Sequence, residues 1–283
     1  MLAVDRGWAM ELTEWVPYWL RVEALRARRT ATTLGRRRLR ARQRTDRLAD
    51  YHHELVGHSS KLIRNVEPRW QQLQENKVRN LELACARVDR LVILPDEVFS
   101  FCGLVGRTTR RKGYVDGLEA RGGELVAAPG GGLCQLSNLL FWMAFRLDLE
   151  ILERHRHEMD LFADDERTVP FGMGATVFYN YCDLQFRNTL GRPLLVRVSV
   201  ERPLLRGSFC SDAPAPYSVD VAETRHRFVR RRDGAIWREN EVTRRVSYLD
   251  GGRPVKIETV RNAGRVMYDV PAHLVETADL PAG

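Results

Sequence analysis

The sequence predicts an α+β protein with N-terminal helices, one buried central helix and a mostly antiparallel sheet. Residues 69–91 place apolar side chains at helical spacing without an internal Gly or Pro. Residues 133–147 are apolar nearly all round, which is typical of a buried helix. Residues 217–260 form at least three predicted strands, with hairpin turns at Asp233-Gly234 and Asp250-Gly251-Gly252.

Shorter elements lie between these segments. Residues 92–101 read as two short strands around a Pro-Asp turn, whereas the glycine-rich, basic residues 103–117 favour a loop. A short strand is predicted within residues 122–132, just before the central helix. Residues 192–203 alternate and predict a further strand.

Two more strands are predicted on either side of residue 170. The segment 149–162 puts His155 and His157 on one face of a strand. The segment 175–188 gives the clearest alternation, with Tyr179, Tyr181 and Asp183 on one face. Both assignments matter because they position the candidate site residues.

The chain divides into three predicted regions. Residues 1–57 form a basic helical extension, residues 58–212 form the core with a glycine–cysteine motif, and residues 213–283 form an antiparallel β part packed on that core. The 283-residue chain is 44% hydrophobic, which suffices for a sizeable core.

The positive charge is concentrated near the N-terminus. Residues 21–47 hold eleven arginines and two acidic residues, a net charge of +9, against +8 for the whole chain. Trp15, Tyr18 and Trp19 precede this stretch, a composition typical of a membrane interface. We therefore expect peripheral membrane contact through residues 15–47, with a solvated basic face and an aromatic patch packed on the domain as the alternatives. A nucleic-acid partner is not expected.

Compartment and cofactor are predicted from composition. The five cysteines are scattered and form no CxxC pair, which argues against a disulfide framework or a structural zinc site and fits a reducing compartment. No stretch reaches the roughly 18 apolar residues of a membrane span, and the N-terminus lacks a secretory signal pattern. The sequence thus predicts a cytoplasmic or membrane-peripheral protein without a cofactor.

The motif "PGGGLCQLSN", residues 129–138, is the main candidate for chemistry. It lacks the lysine and spacing of a phosphate loop. Instead it delivers Cys134 to the first turn of the buried helix, where the helix dipole and free N–H groups favour a thiolate. Ser137 and Asn138 lie on the same helix face as the thiol. The alternative is that Cys134 is a small buried apolar residue.

A thiol nucleophile needs a base. His155 and His157 follow the buried helix on one predicted strand face, and Asp183 could orient an imidazole, which would complete a Cys–His–Asp arrangement by role. Two alternatives stay open. Asp183 and the tyrosines could cap a sheet face, and His155 with His157 could bind a metal together with Cys134 or Asp183.

Several motifs together resemble the VanW family, accessory proteins known from a vancomycin-resistance gene cluster. They are "ILPDEVFSFCGLVGRTTRRKGYVDG", "GGGLCQLSNLLFWMA", "ERHRH", "PFGMGATVFYNYCDLQFRN" and "RENEVTRR", in that order between about His58 and Tyr268. The resemblance implies a cell-envelope or antibiotic-related setting but no established reaction. His155 stands where relatives are expected to carry other residues, which makes His157 the better base. Asn138 and Glu158 stand where many relatives carry hydroxyl residues.

Besides the metal site, two functions are predicted from these observations. One is a thiol-dependent enzyme acting on an amide or ester, with Cys134 as nucleophile, His157 as general base, Asp183 orienting the imidazole, and Gln135 or backbone N–H groups holding the oxyanion. The other is a non-catalytic module that binds a small-molecule or peptide ligand between the glycine loop and the Tyr179/Tyr181 face. The residues predicted to bind are Gly131, Gly132, Gln135, Ser137, Asn138, Glu153, Arg154, Tyr179 and Tyr181.

Overall fold

The computed structural model of the protein describes residues 39–63, 67–121, 124–156, 159–160 and 168–277, together with Leu20, Glu23, Ala24, Arg26 and Ala27. The helices of residues 39–277 are α1 (Gln71–Val88), α2 (Phe101–Val105) and α3 (Cys134–Phe145), with short 3-10 turns at Leu48–Asp50, Pro68–Trp70, Arg110–Lys112 and Ala272–Leu274. The strands are β1 (His53–Lys61), β2 (Leu91–Ile93), β3 (Val98–Ser100), β4 (Asp116–Arg121), β5 (Glu124–Pro129), β6 (Glu150–Glu153), β7 (Met159–Asp160), β8 (Gln185–Arg187), β9 (Leu194–Glu201), β10 (Leu204–Ser211), β11 (Tyr217–Arg230), β12 (Ile236–Tyr248), β13 (Lys256–Val266) and β14 (Val275–Thr277). The α+β prediction is confirmed.

The strands form mainly antiparallel sheets. One has the order β1-β10-β9-β2, a second has the order β3-β8-β6, and β4 pairs with β5 as a hairpin. The C-terminal strands form a sheet in the order β14-β11-β12-β13-β7, whose two edge pairings are parallel. The long strands β11, β12 and β13 pair as two successive hairpins, whose turns lie at the two positions that the Asp-Gly signals predict.

Helix α3 is the centre of the core. Nine of its twelve residues are buried, and it packs against β1 and β10. The buried Arg244 of β12 donates hydrogen bonds to the Phe145 (3.2 Å) and Leu147 (2.8 Å) carbonyl oxygens at the end of α3. A cation at this end complements the helix dipole. The C-terminal sheet is therefore attached to the same core as α3.

The glycine loop, residues 130–132, leads into α3 and is in close contact with neighbouring elements. A Cβ on Gly131 would lie 2.2 Å from the backbone carbonyl atoms of Gly117 in β4. Gly132 has a φ of +91°, and its Cβ would lie 2.1 Å from Cγ of Lys77 in α1. Only glycine satisfies both the left-handed backbone and the close approach. The loop thus serves packing, whatever else it does.

The N-terminal basic segment, predicted as a helical extension, is helical at its described residues Leu20, Glu23, Ala24, Arg26 and Ala27 but not at residues 40–44. Residues 40–44 are extended, with bridges from Arg40 to Val98 and from Arg44 to Leu91. The Arg44 guanidinium donates to the Ala86 (2.8 Å) and Asp89 carbonyl oxygens at the end of α1, where a cation is favourable. Most of the predicted membrane-contact segment, residues 15–47, lies outside the described residues.

The clearest predicted strand, residues 175–188, is largely wrong. Only β8 pairs in a sheet, while residues 178–182 form a tight turn in which Cys182 N donates to Phe178 O (2.9 Å). Asn180, at a φ of +51°, supplies the left-handed residue that the turn requires, a conformation that asparagine tolerates. The turn breaks the predicted common face of Tyr179, Tyr181 and Asp183.

The predicted strand over residues 149–162 is also interrupted. β6 ends at Glu153, and residues 154–156 are not part of a strand. Thr176 N donates to His155 O (2.8 Å), so the irregular segment around Thr176 lies beside His155 where a neighbouring strand would pair. The predicted loop over residues 103–117 likewise begins within a helical turn, α2, for which the Ser100 side chain accepts a hydrogen bond from Gly103 N.

Replacing Gly131 with alanine should destabilise the fold. The new Cβ would clash with backbone atoms of Gly117, which cannot move aside as a flexible side chain can, so we expect a loss of about 1–3 kcal/mol in the free energy of unfolding. Denaturant unfolding measures this value. Gly252→Ala is the control, because nothing lies within 4 Å of its Cβ position, and it should change stability by less than about 0.5 kcal/mol. Equal stabilities for the two variants would contradict the packing role of the glycine loop.

Candidate functional site

A cavity of about 310 Å³ opens beside the start of α3. We name it the α3 cavity. Its wall includes Cys134, Gln135 and Asn138 from α3, Lys77 from α1 and Thr176 from the segment before the 178–182 turn. The motif singled out in the sequence thus lies at a concave surface, which is where ligands bind most often.

Cys134 is the first residue of α3, as predicted. Its half-buried thiol lies 3.9 Å from the Val177 carbonyl oxygen. Burial raises the pKa of Cys134 to about 11, and this effect outweighs the contact with Val177, which lowers it. The thiol is therefore protonated at neutral pH, contrary to the thiolate expected from the helix dipole alone.

The polar residues around Cys134 are engaged in structural hydrogen bonds. The Gln135 side-chain amide donates to Ser60 Oγ (2.9 Å) and to Lys61 O (2.7 Å), which joins α3 to β1. The buried Ser137 hydroxyl donates to Ala175 O (2.5 Å), and Asn138 Oδ1 accepts from Ala175 N (2.7 Å). These contacts hold the residues before the 178–182 turn against α3.

Arg154 holds the other side of the cavity wall. Its guanidinium donates to Gly174 O (2.8 Å) and to Gly172 O, and it lies 4.1 Å above the ring centre of Phe141 in α3. Burial lowers the pKa of Arg154 to about 10, which still leaves it charged at neutral pH. This predicted binding residue therefore contacts the segment that forms the wall.

Asp183 is buried between β3 and β8. Its carboxylate accepts hydrogen bonds from Ser100 Oγ (2.7 Å), Cys102 N (2.7 Å) and Gln185 Nε2 (2.9 Å). These bonds fix the start of α2 beside β8. His157, the predicted partner of Asp183, lies outside the described residues, so the Cys134–His157–Asp183 arrangement stays a prediction.

His155, the other histidine of the predicted strand, lies within the described residues and has two side-chain partners. It contacts Cys182, and its Nε2 lies 2.8 Å from Oε1 of Glu153. The contact with Cys182, followed by that with Glu153, raises the pKa of His155 to about 9. Sequence reasoning missed this cluster because it assigned Cys182 to the opposite strand face from Asp183, whereas the tight turn brings it back toward His155.

The two predicted tyrosines lie apart from the α3 cavity. Tyr179 lines a second cavity of about 190 Å³ together with Gly130, Cys102 and Arg26. The Arg26 guanidinium donates to Tyr179 O (3.1 Å) and stacks 5.3 Å from the ring centre of Phe178. One arginine of the basic segment thus packs on the 178–182 turn. Tyr181 is 47% exposed.

The charges of the α3 cavity were not predicted. The Lys77 ammonium is buried and donates to Gln74 Oε1 (2.8 Å). Asp160 pairs with the buried Arg238 (3.2 Å), so its negative charge is balanced. The Thr176 hydroxyl is buried without a hydrogen-bond partner among the described residues. Lys77 gave no sequence signal, because a lysine within an amphipathic helix usually faces solvent.

The described residues contain neither a metal-binding cluster nor a membrane-spanning helix. No group of three or more His, Cys, Asp and Glu side chains in the described part of the chain could hold a metal ion. No helix among the residues that the structure describes is both long and apolar enough to cross a membrane.

The fold and the site define an α+β protein built on a buried helix that begins with a thiol beside a cavity. Residues 76–210 match the family model described as VanW like protein. The chain belongs to the VanW family, as the sequence motifs predict. It is 31% identical over 199 residues to "Vancomycin B-type resistance protein VanW" of Enterococcus faecalis (strain ATCC 700802 / V583), which covers 70% of this chain and 72% of the relative.

A second relative is matched over a shorter region. The chain is 33% identical over 148 residues to "Uncharacterized protein YoaR" of Bacillus subtilis (strain 168), which covers 51% of this chain and 46% of that protein. The chain therefore spans less than half the length of this relative. The comparison with solved structures finds no significant match.

The pKa values of His155 and His58 should be shifted in opposite directions from the usual histidine value. Hydrogen bonds with Cys182 and Glu153 stabilise the protonated ring of His155, so its pKa should be about 9 instead of 6.5. Its contribution to stability is present below pH 6.5 and is lost as the pH rises from 6.5 to about 9. Burial, followed by the positive charge of the nearby Arg146, lowers the pKa of His58 below 6.5. Histidine NMR titration distinguishes the two, and a His155 midpoint at 6.5 would contradict the described contacts.

Proposed function

We propose that this protein binds a small molecule or peptide bearing a carboxylate in the α3 cavity, within a cell-envelope or glycopeptide-antibiotic setting. The observation that carries the proposal is that the buried, positively charged Lys77 belongs to the cavity wall. The setting is extended to this chain from the printed name of the enterococcal relative, which associates that protein with vancomycin resistance.

The charges of the wall support an anionic ligand. Lys77 and Arg156 contribute positive charge to the lining, and the negative charge of Asp160 is paired with Arg238. Arg156 uses one guanidinium nitrogen for Arg261 O (2.7 Å) and Asn262 Oδ1 (3.1 Å). A carboxylate between such cations is stabilised strongly where water is partly excluded.

Neutral groups of the wall support a polar, peptide-like ligand. The Thr176 hydroxyl is a buried donor and acceptor without a partner among the described residues, which makes it available to a ligand amide. His58 also lines the cavity, and its lowered pKa leaves the ring neutral at pH 7. The volume of about 310 Å³ suits a ligand of dipeptide size.

The ligand class is tested by calorimetric titration with dialanine and with dialanine amide. The two probes differ only in the terminal carboxylate, so we expect binding of the free acid and loss of binding with the amide. Lys77→Met keeps the apolar stem that packs on Gly132 but removes the charge. It should weaken binding of the acid by at least about tenfold, the usual worth of a charged hydrogen bond.

Lys112→Met is the matched control for the lost charge. Lys112 is exposed in the Arg110–Lys112 turn and does not line the α3 cavity, so its replacement should leave affinity unchanged. Equal binding of acid and amide, or unchanged affinity in Lys77→Met, would refute a carboxylate site at Lys77.

A second candidate function is thiol-dependent cleavage or transfer of an amide or ester. It is favoured by the position of Cys134 at the start of α3 and in the cavity wall. Because the thiol is protonated at neutral pH, a base must remove its proton during attack, and we assign this role to His157 with Asp183 as the orienting group. The Gln135 amide is engaged by Ser60 and Lys61, so backbone N–H groups are the better oxyanion donors.

The second candidate predicts how Cys134 reacts with iodoacetamide. A buried thiol without a base should be alkylated only as the pH approaches about 11. With His157 as base, alkylation of Cys134 should already proceed at neutral pH and should be lost in His157→Ala but not in the control His52→Ala. Site-resolved mass spectrometry measures the rates. If the alkylation rate of Cys134 rises only toward pH 11 and is the same in His157→Ala, Cys134 lines the cavity and is not a nucleophile.

A further inference from the structure

A thiol, an imidazole and a carboxylate meet at the 178–182 turn, outside the α3 cavity. They are Cys182, His155 and Glu153, and neither Cys182 nor His155 lines either cavity described above. This is the set of functional groups that the sequence suggested for Cys134, His157 and Asp183, formed from three other residues.

The backbone holds the three groups in place. Phe178 N donates to Cys182 O (2.9 Å) and Cys182 N donates to Phe178 O (2.9 Å), which closes the turn at Cys182. Thr176 N donates to His155 O (2.8 Å) and attaches the preceding segment to His155. The cluster therefore rests on main-chain pairing and does not depend on the side chains alone.

The imidazole of His155 lies between two groups that accept hydrogen bonds when they are ionised. Glu153 Oε1 lies 2.8 Å from its Nε2, and Cys182 is its other side-chain partner. Both ring nitrogens carry a proton only in the imidazolium form. The raised pKa of His155, about 9, agrees with this geometry. A histidine beside a thiol, with a carboxylate on its other side, is the arrangement that activates a cysteine nucleophile.

Glu153 is itself fixed in position. Its Oε1 accepts a hydrogen bond from the Asp183 backbone N–H (3.0 Å), so the carboxylate holds the His155 ring and is oriented by the residue that follows Cys182. Glu153 thus takes the place of the orienting carboxylate in a nucleophile–base–carboxylate set.

We propose that Cys182, His155 and Glu153 form a nucleophilic thiol site that reacts with carbon electrophiles, in particular activated acyl groups. Cys182 is the nucleophile, His155 carries its proton, and Glu153 is the positioning residue. The proposal does not depend on ligand binding in the α3 cavity, and either can fail without the other.

The reaction with an acyl group balances without a further reactant. The Cys182 sulfur attacks the carbonyl carbon, a carbon–sulfur bond forms, and the bond to the leaving group breaks. The leaving group takes the proton held by His155, which leaves a neutral imidazole and a thioester on Cys182. Water can then hydrolyse the thioester, which restores the thiol and releases the acid.

Exposure favours Cys182 over the other thiols. Cys182 is half-buried beside the 47% exposed Tyr181, and the His155 side chain is 39% exposed. In contrast, burial raises the pKa of Cys85 to about 12 and that of Cys134 to about 11. Cys102 contacts the carbonyl oxygens of Phe178 (3.9 Å) and Cys182 (3.5 Å).

The first test measures alkylation of each cysteine in the intact protein with limiting iodoacetamide at neutral pH, by peptide mass spectrometry. We expect Cys182 to react at least about tenfold faster than Cys102, because an imidazole partner activates a thiol nucleophile. His155→Ala should remove that advantage. His273→Ala is the matched control, since His273 is exposed in the Ala272–Leu274 turn and lines neither cavity, and it should leave the Cys182 rate unchanged.

The second test separates positioning from folding and establishes the acyl class. Glu153→Gln keeps the shape of the side chain but should lower both the Cys182 rate and the NMR-measured pKa of His155, while thermal unfolding confirms that the variant is folded. Treatment with para-nitrophenyl acetate should acetylate Cys182 in the wild type and not in His155→Ala. The proposal is overturned if Cys182 reacts no faster than Cys102, if folded His155→Ala reacts at the wild-type rate, or if acetylation falls elsewhere.

Discussion

The buried side chain of Asn80 in α1 is the constraint on which the site depends. Its amide donates to the Gly131 and Val115 carbonyl oxygens (3.0 Å each), and its oxygen accepts from Val115 N (3.0 Å). Asn80 is fully buried, so these bonds form without competition from water. They fix the glycine loop against the β4–β5 hairpin and thereby set the position from which α3 begins. The thiol of Cys134, the cavity beside it and the packing of α3 all follow from that starting position.

Residues that look reactive in the sequence carry much of the scaffold. Gln135, Ser137 and Asn138 surround the thiol, yet their side chains join α3 to β1 and to the segment at Ala175. Arg154 joins the same wall from the other side through Gly172 and Gly174. A buried helix needs its polar side chains paired, because each unpaired buried group costs about 1–3 kcal/mol. These motif residues of the chain therefore serve the scaffold beside the α3 cavity.

Charged residues from both ends of the chain attach to the carbonyl ends of the core helices. Arg244 of the C-terminal sheet contacts the carbonyl end of α3, and Arg44 of the basic segment contacts the carbonyl end of α1. Both arginines satisfy carbonyl groups that have no partner within their helix. Arg26 packs on the 178–182 turn in a similar way. Part of the N-terminal positive charge is thus used in tertiary structure, a role that composition alone does not distinguish from a lipid-facing surface.

The sequence by itself determined the α+β class, the presence and approximate place of α1 and α3, the long C-terminal hairpins and the place of Cys134 at a helix start, because local periodicity and turn residues specify them. Only the tertiary structure decided which functional groups meet. The alternation over residues 175–188 predicts a strand, but Asn180 at positive φ turns the chain and brings Cys182 to His155. Likewise, the buried position of Lys77 depends on the glycine loop that packs against its stem, a contact between segments over fifty residues apart. Such meetings are set by long-range packing, which local patterns do not encode.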